Sequence, residues 1–146
     1  MATRTHAHAE ENKRIARRVP EEIATKRNLD LTDEVFAEDA VEHAPYGDSR
    51  GVAALRADFN RFLAAFPDFS ATVEDIVAEG DTVAMRVTLR GTQEGEFMEI
   101  EPTGREFEIQ NMVFTRIEGG KIAERWLQPD IHGLFRQLGA VESPVA

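Results

Sequence analysis

Residues 105–130, REFEIQNMVFTRIEGGKIAERWLQPD, decide the fold of this chain. Two runs of alternating apolar and polar side chains flank the tetrapeptide Glu118-Gly119-Gly120-Lys121, a pattern that predicts a β-hairpin. Counting back from the turn predicts three facing pairs on one side of the hairpin: Val113 with Trp126, Asn111 with Gln128, and Ile109 with Asp130. We expect this side to be an apolar wall that carries two amides and one carboxylate. A shift of register by one residue would turn these side chains to the other face.

The segments before the hairpin supply helices first and strands afterwards. Apolar spacing predicts a helix over residues 9–27 that Pro20 kinks or divides, and then a short helix after Thr32. An extended piece at residues 40–43 and a loop at residues 45–51 lead to a helix over residues 52–66, begun by Asp48 or Ser49. Alternating strands follow from Phe69 to Asp130, and a closing helical turn ends at Gly139. This order predicts an α+β fold in which a bent antiparallel sheet and helices on one face enclose a pocket for a small molecule.

Length and composition restrict the classes of function. The 146 residues fit a single domain over residues 9–141, with a flexible leader at residues 1–8 and a tail at residues 142–146. A net charge of -10 opposes binding to nucleic acid or to an anionic membrane surface. There is no cysteine and no apolar run of the length a membrane span needs, so we expect a cytoplasmic protein. Its acidic surface, with 3 Lys against 14 Arg, suits either a halophilic source or a GC-rich mesophile.

Asp130 is the candidate general base. Beside Trp126 in an apolar cavity, a carboxylate would be desolvated, its pKa would rise, and it would accept protons more strongly once ionised. Asp130 also precedes the sequence IHGLF, where it would act as a helix N-cap, and the two roles are compatible.

Other polar and aromatic residues are candidates for the pocket wall. His43, at the end of the early strand, is either an acid or polar anchor at the mouth or a partner in a loop hydrogen bond. Tyr46 is a candidate donor at the rim, and Phe59 belongs either to the core or to the ligand contacts. No phosphate-binding loop, serine elbow or metal-ligand spacing is present, so the sequence predicts neither a cofactor nor a metal.

Three stretches together resemble one known family. They are AFPDFSATVEDIVAEGDTVAMRVTLRGTQEGEF at residues 65–97, EPTGREFE at residues 101–108 and FTRIEGGKIAERWLQPDIHGLFRQLG at residues 114–139. As a set they resemble the SnoaL-like polyketide cyclase and ester cyclase group of the nuclear-transport-factor-2-like (NTF2-like) superfamily. The resemblance extends over residues 12–139. Gln93 is a departure, because many relatives have a histidine at this place.

The resemblance implies a cone of curved sheet and helices that forms a homodimer through the sheet and uses no metal or organic cofactor. It implies that Asp130 is the acid/base of an intramolecular aldol closure, that Trp126 shapes the cavity and that His43 is a polar pocket residue. We therefore expect cyclisation or isomerisation of a small hydrophobic carbonyl compound. A domain that binds such a molecule without turnover is the alternative. A hydrolase that activates water through Asp130 is the third, and it needs a second carboxylate that the predicted pocket face does not supply.

Overall fold

The fold consists of one six-stranded sheet with helices against it. The computed structural model describes residues 2–141, with side chains from His8 onward. The helices are α1 (Ala2–Arg18), α2 (Thr32–Val35), α3 (Val52–Ala65) and α4 (Ile131–Gln137), with a π-helical segment (Val19–Thr25) and a 3-10 turn (Leu29–Leu31) between α1 and α2. The strands are β1 (Phe36–Ala44), β2 (Gly47–Arg50), β3 (Ser70–Glu79), β4 (Thr82–Thr92), β5 (Glu106–Glu118) and β6 (Lys121–Pro129). No helix within residues 2–141 is long and apolar enough to cross a lipid bilayer.

The sheet is mixed, although the sequence predicts an antiparallel one. Its strand order is β2-β1-β6-β5-β4-β3, and β1 runs parallel to β6. The chain crosses from one edge to the other through α3 and returns by three hairpins. The chain reaches β6 through these three hairpins and not through a turn directly from β1, so the two neighbouring strands can run parallel. The predicted α+β class is confirmed, as is the cone of curved sheet and helices.

A β-bulge in β6 changes the register that the turn predicts. Glu118 pairs with Lys121 and Ile117 with Ile122, but the next pair is Arg116 with Glu124, so Ala123 is an extra residue on β6. Beyond it, Val113 faces Leu127 and Asn111 faces Pro129. A bulge leaves one residue unpaired and shifts the alternation of side chains by one. The predicted pairs of Val113 with Trp126, Asn111 with Gln128 and Ile109 with Asp130 are therefore wrong.

Helix boundaries follow the sequence signals in part. α1 ends at Arg18 and gives way to the π-helical segment that contains Pro20, as the predicted break requires. α1 begins at Ala2, inside the predicted flexible leader, while the predicted tail lies outside the described residues. α3 is capped by Gly51 with φ +91°, a conformation that favours glycine, and not by Asp48 or Ser49. Those two residues belong to β2, where the sequence predicts a loop.

The core lies between the helices and the inner face of the sheet. Alternate residues of β4 and β5 point into it, among them Val83, Met85 and Val87 on β4. An aromatic cluster fills one end, where the ring of Phe62 meets Phe69 edge-on at 4.8 Å between centroids and Phe66 meets Phe107 at 4.9 Å. The other end of the inner face is less filled, and this leaves room for a cavity.

Deletion of Ala123 should remove the bulge and keep the faces of β6, because Glu124 already pairs with Arg116 and Arg125 with Thr115. Arg125 should therefore stay inward beside Glu42, and the free energy of unfolding should fall by much less than the about 3–5 kcal/mol that breaking a buried ion pair costs. Arg125→Met leaves the buried carboxylate of Glu42 without its partner and should cost that full amount. Urea unfolding of both variants measures the difference. Equal losses in the two variants would contradict the register described here.

Candidate functional site

A cavity opens between the inner face of the sheet and the helices. Its volume is about 140 Å³, close to the roughly 150 Å³ that accommodates a benzene ring in an engineered cavity. Most of the wall is apolar. The helical side supplies Val19, Pro20, Ala24, Phe59, Phe62, Leu63, Ile131 and Leu134. The sheet and the loop between β4 and β5 supply Ala71, Met85, Val87, Leu89, Phe97, Ile109, Val113, Leu127 and Pro129.

One end of the cavity is polar because a buried ion pair lies there. Glu42 and Arg125 are register partners on β1 and β6, and Arg125 Nη1 donates to Glu42 Oε2 at 2.6 Å. Arg125 is only 5% exposed, and its guanidinium lies over the ring of Phe36 at 5.9 Å from the centroid. Both members of the pair line the cavity. The apolar wall therefore carries a fixed dipole with its positive side on β6.

Tyr46 and Asp58 complete this polar end. Tyr46 is 56% exposed and so lies at the edge of the cavity. Desolvation of the phenol, followed by the charge of Glu42, raises the pKa of Tyr46 to about 12. Its hydroxyl therefore stays protonated at neutral pH and can donate a hydrogen bond. Asp58 accepts hydrogen bonds from Ser49 Oγ and from Arg61 Nη1.

Asn111 supplies a second polar position on the sheet side. It lines the cavity opposite Pro129, the residue before Asp130. Its Oδ1 atom is buried and has no hydrogen-bond partner among the described residues. A buried amide oxygen without a partner costs free energy, so this position favours a ligand or water that donates to it.

Asp130 lies at the edge of the cavity as the N-cap of α4. Its Oδ1 accepts a hydrogen bond from the backbone N–H of Gly133 at 2.9 Å. The side chain is exposed and does not line the cavity, whereas its neighbours Pro129 and Ile131 do. The predicted capping role is confirmed, and the prediction that the carboxylate faces inward beside Trp126 is wrong. Its role as a base stays a prediction.

Gly133 makes room for this carboxylate. A Cβ atom at residue 133 would lie 2.6 Å from Asp130 Cγ and would overlap Oδ2. The backbone of Gly133 is helical, so the glycine is needed here for space and not for an unusual φ. Any side chain at this position would push the carboxylate out of its cap.

His43 and Trp126 lie on the outer face of the sheet. They are register partners, and their rings stack at 5.6 Å between centroids. His43 Nε2 lies 2.6 Å from Glu124 Oε2 and Nδ1 lies 3.1 Å from Asp48 Oδ2. The hydrogen bond with Glu124 is the largest cause that raises the pKa of His43. The prediction that these two residues line the pocket is wrong: the bulge turns Trp126 outward, and His43 lies beside it on the same face of β1.

The structure divides the remaining candidates between the two faces. Five of them line the cavity: Tyr46, Phe59, Ile109, Asn111 and Val113. Gln128 is exposed on the outer face, opposite Met112, so its predicted inward position is wrong. Three charged residues of the cavity are not among those predicted from the sequence: the carboxylates Glu42 and Asp58, and Arg125. The apolar residues Ile122 and Leu127 are five positions apart, whereas residues on one face of a regular strand are an even number apart. This odd spacing is the sign of the bulge in the sequence.

Gln93, which replaces the histidine of many relatives, serves the loop between β4 and β5. It is fully buried, and its Nε2 donates to the carbonyl oxygens of Gly95 and Ile100. Its Oε1 accepts from the backbone N–H and the hydroxyl of Thr103. These bonds hold the loop that carries Phe97 to the cavity wall. In residues 8–141, no three His, Asp or Glu side chains gather as a metal-ligand group.

A mixed, curved sheet wrapped with helices around an apolar cavity defines the class of NTF2-like cone proteins. TsrD from Streptomyces laurentii has this fold, with a TM-score of 0.82 at 28% identity over 90% of this chain and 97% of that one. IdmH from Streptomyces antibioticus matches with a TM-score of 0.71 at 38% identity, over 81% of this chain and 91% of that one.

Within this class, the chain belongs to the SnoaL-like polyketide cyclase family, whose model matches residues 14–138. Aklanonic acid methyl ester cyclase DnrD from Streptomyces peucetius is 31% identical to it over 131 residues. The match covers 86% of this chain and 88% of DnrD.

The contact between Asp130 and Gly133 predicts a coupling of about 1 kcal/mol in a double-mutant cycle. Gly133→Ala alone should leave the free energy of unfolding nearly unchanged, because losing the displaced capping carboxylate costs about 1 kcal/mol and alanine gains about as much over glycine in a helix. In an Asp130→Ala background, where there is no cap to lose, the same change should raise it by about 1 kcal/mol. Urea unfolding of the four proteins measures both steps. An equal effect of Gly133→Ala in the two backgrounds would refute the packing described here.

Proposed function

We propose that the protein is a cyclase that closes a ring in a hydrophobic carbonyl compound by an intramolecular aldol reaction, with Asp130 as acid/base and no cofactor. The observation that carries the proposal is the apolar cavity bordered by Pro129 and Ile131, the two chain neighbours of Asp130, in a chain of the SnoaL-like family. The cavity excludes water from a bound ring, and water exclusion strengthens the polar contacts inside.

The reaction needs a proton acceptor and a group that holds the carbonyl oxygen. Asp130 Oδ2 accepts no hydrogen bond from the described residues and is available to remove a proton α to a carbonyl. The group we assign to hold the enolate oxygen is the amide of Asn111, which lines the cavity opposite Pro129, the residue before Asp130. The enolate carbon then attacks a second carbonyl carbon, a C–C bond forms, and the proton returns to the new alkoxide. The product is an isomer of the substrate.

Asp130→Asn should abolish most of the turnover while the fold is kept. Asparagine caps helices as well as aspartate does, so the change removes the proton acceptor and leaves the cap. We expect a rate about 10²–10⁴-fold lower. Aklanonic acid methyl ester, the substrate named for the relatives, is the first probe, and chromatography with mass detection follows its conversion to an isomer of equal mass.

Asp39→Asn on β1 is the matched control, because Asp39 is an exposed aspartate in a strand and away from the cavity lining. It should leave the rate unchanged. Full activity of Asp130→Asn would remove Asp130 from the reaction. A ligand that binds to the wild type and is recovered intact would favour the alternative, a domain that binds without turnover.

We propose further that the outer face of the sheet packs against a second copy of the chain. An unbroken cross-strand row on this face contains Val77, Ala84, Phe114, Trp126 and His43. Phe114 is 55% exposed, and Met112 beside this row is 53% exposed. Monomers seldom expose contiguous large apolar side chains of this kind, and a two-fold axis would let the row cover itself.

Phe114→Glu should convert a dimer into a monomer, since it puts a charge in the middle of the row, opposite its own copy. Sedimentation velocity over a range of concentrations measures the mass. Ala53→Glu adds the same charge at an exposed position of α3 and should leave the wild-type mass unchanged. A wild type that sediments as a monomer at every concentration would refute the dimer.

A further inference from the structure

Arg125 is the cation of the cavity. The described lining residues include two carboxylates, Glu42 and Asp58, and no positive side chain other than Arg125. Asp58 has its own partners outside the pair, Ser49 and Arg61. The guanidinium of Arg125 therefore is the charged donor that a ligand inside the cavity can meet.

Glu42 holds this guanidinium and leaves part of it unused. A guanidinium has five N–H donors, and the bond to Glu42 engages Nη1. Arg125 Nε is buried and has no hydrogen-bond partner among the described residues. An unpaired buried donor costs free energy, which an acceptor oxygen of a ligand would recover after a small adjustment of the side chain.

The position of Arg125 separates it from the proposed reaction centre. It lies on β6, five residues before Asp130, which follows the end of that strand, and this corresponds to roughly 17 Å between the two Cα atoms. An oxygen bound by Arg125 is therefore a different oxygen from the enolate formed beside Asp130. Tyr46, at the same end of the cavity, is a second donor for it.

We propose that Arg125, held by Glu42, binds a carbonyl or ionised hydroxyl oxygen at one end of the ligand and so determines which end faces Asp130. The proposal deepens the proposed function, on which it rests for the reaction at the other end. It defines the substrate class as an apolar ring system with an oxygen acceptor remote from the reacting carbonyl. The negative charge of Glu42, which also lines the cavity, reduces the attraction of Arg125 for an anionic oxygen, so the affinity rests on the hydrogen bonds that the free donors of Arg125 make.

A pair of one-ring probes tests the binding of the oxygen directly. Pentafluorophenol, ionised at neutral pH, presents a phenolate oxygen, and pentafluorobenzene has the same ring without it. Titrations followed by ¹⁹F NMR give both dissociation constants. In Glu42→Gln/Arg125→Met, which leaves no lone buried charge, phenolate affinity should fall about tenfold or more, the value of one charged hydrogen bond. Affinity for pentafluorobenzene should stay within about twofold, which also shows that the cavity is intact.

Arg125→Lys is the second variant. It keeps a positive charge beside Glu42 and loses the planar set of donors, so phenolate affinity should fall several-fold while the ring-only probe is unaffected. If the double variant does not fold, this comparison decides. Equal losses for the two probes, or no loss for the phenolate, would overturn the proposal.

Asp130→Asn separates the two proposals. It should keep the wild-type preference for the phenolate because Asp130 does not touch this end of the cavity. If the wild type converts no substrate but prefers the phenolate, the cyclase is refuted and the oxygen site stands. Turnover that depends on Asp130, with no preference for the phenolate, would refute the oxygen site alone.

Discussion

One extra residue in β6 determines what the cavity contains. The bulge at Ala123 breaks the alternation between Ile122 and Glu124, so that Ile122 and Arg125 both point inward although they are three residues apart. From there the strand continues in its shifted alternation, with Leu127 inward and Trp126 outward. If Ala123 instead paired in the ladder, every later side chain of β6 would change faces, and the cavity would have an indole and an amide in its wall in place of an arginine. The position of the ion pair, and the chemistry we propose for it, depend on that shift.

The bulge also explains how a buried arginine is tolerated. Removing a guanidinium from water is costly unless its partner and its hydrogen bonds are well placed. Glu42 is supplied by the parallel neighbour β1, at the same level of the sheet, and the ring of Phe36 covers one side of the guanidinium. The pair is therefore held by the strand register and not by flexible loops. A site built on strands in this way is positioned accurately before any ligand arrives.

The sequence predicts the elements well and the faces of the last strand poorly. Strands β3 to β6 and helix α3 follow from alternation, helical spacing and the glycine turns, because these signals are local. The capping role of Asp130 is also local and is confirmed. The inward positions of Glu42 and Arg125 depend on a bulge and on a parallel pairing between distant segments. Neither the bulge nor the parallel pairing is marked by turn residues. Counting residues from the turn at Gly119 and Gly120 therefore omits the bulge and assigns Trp126 to the wrong face.

Neighbouring residues of β6 serve two different proposed functions, ligand binding on the inner face and packing against a second copy of the chain on the outer face. Arg125 reaches the cavity while Trp126, next in the chain, joins Phe114 in the apolar row on the outside. Gln93 is fully engaged in holding its loop, so it is not available to bind a ligand, and Asp130 caps α4 at the far end of the strand. The cavity holds one ring, so a larger substrate must extend beyond it. In the function we propose, such a substrate has one end at Arg125 and reaches past Pro129 to Asp130 with the other, and these two residues decide its orientation.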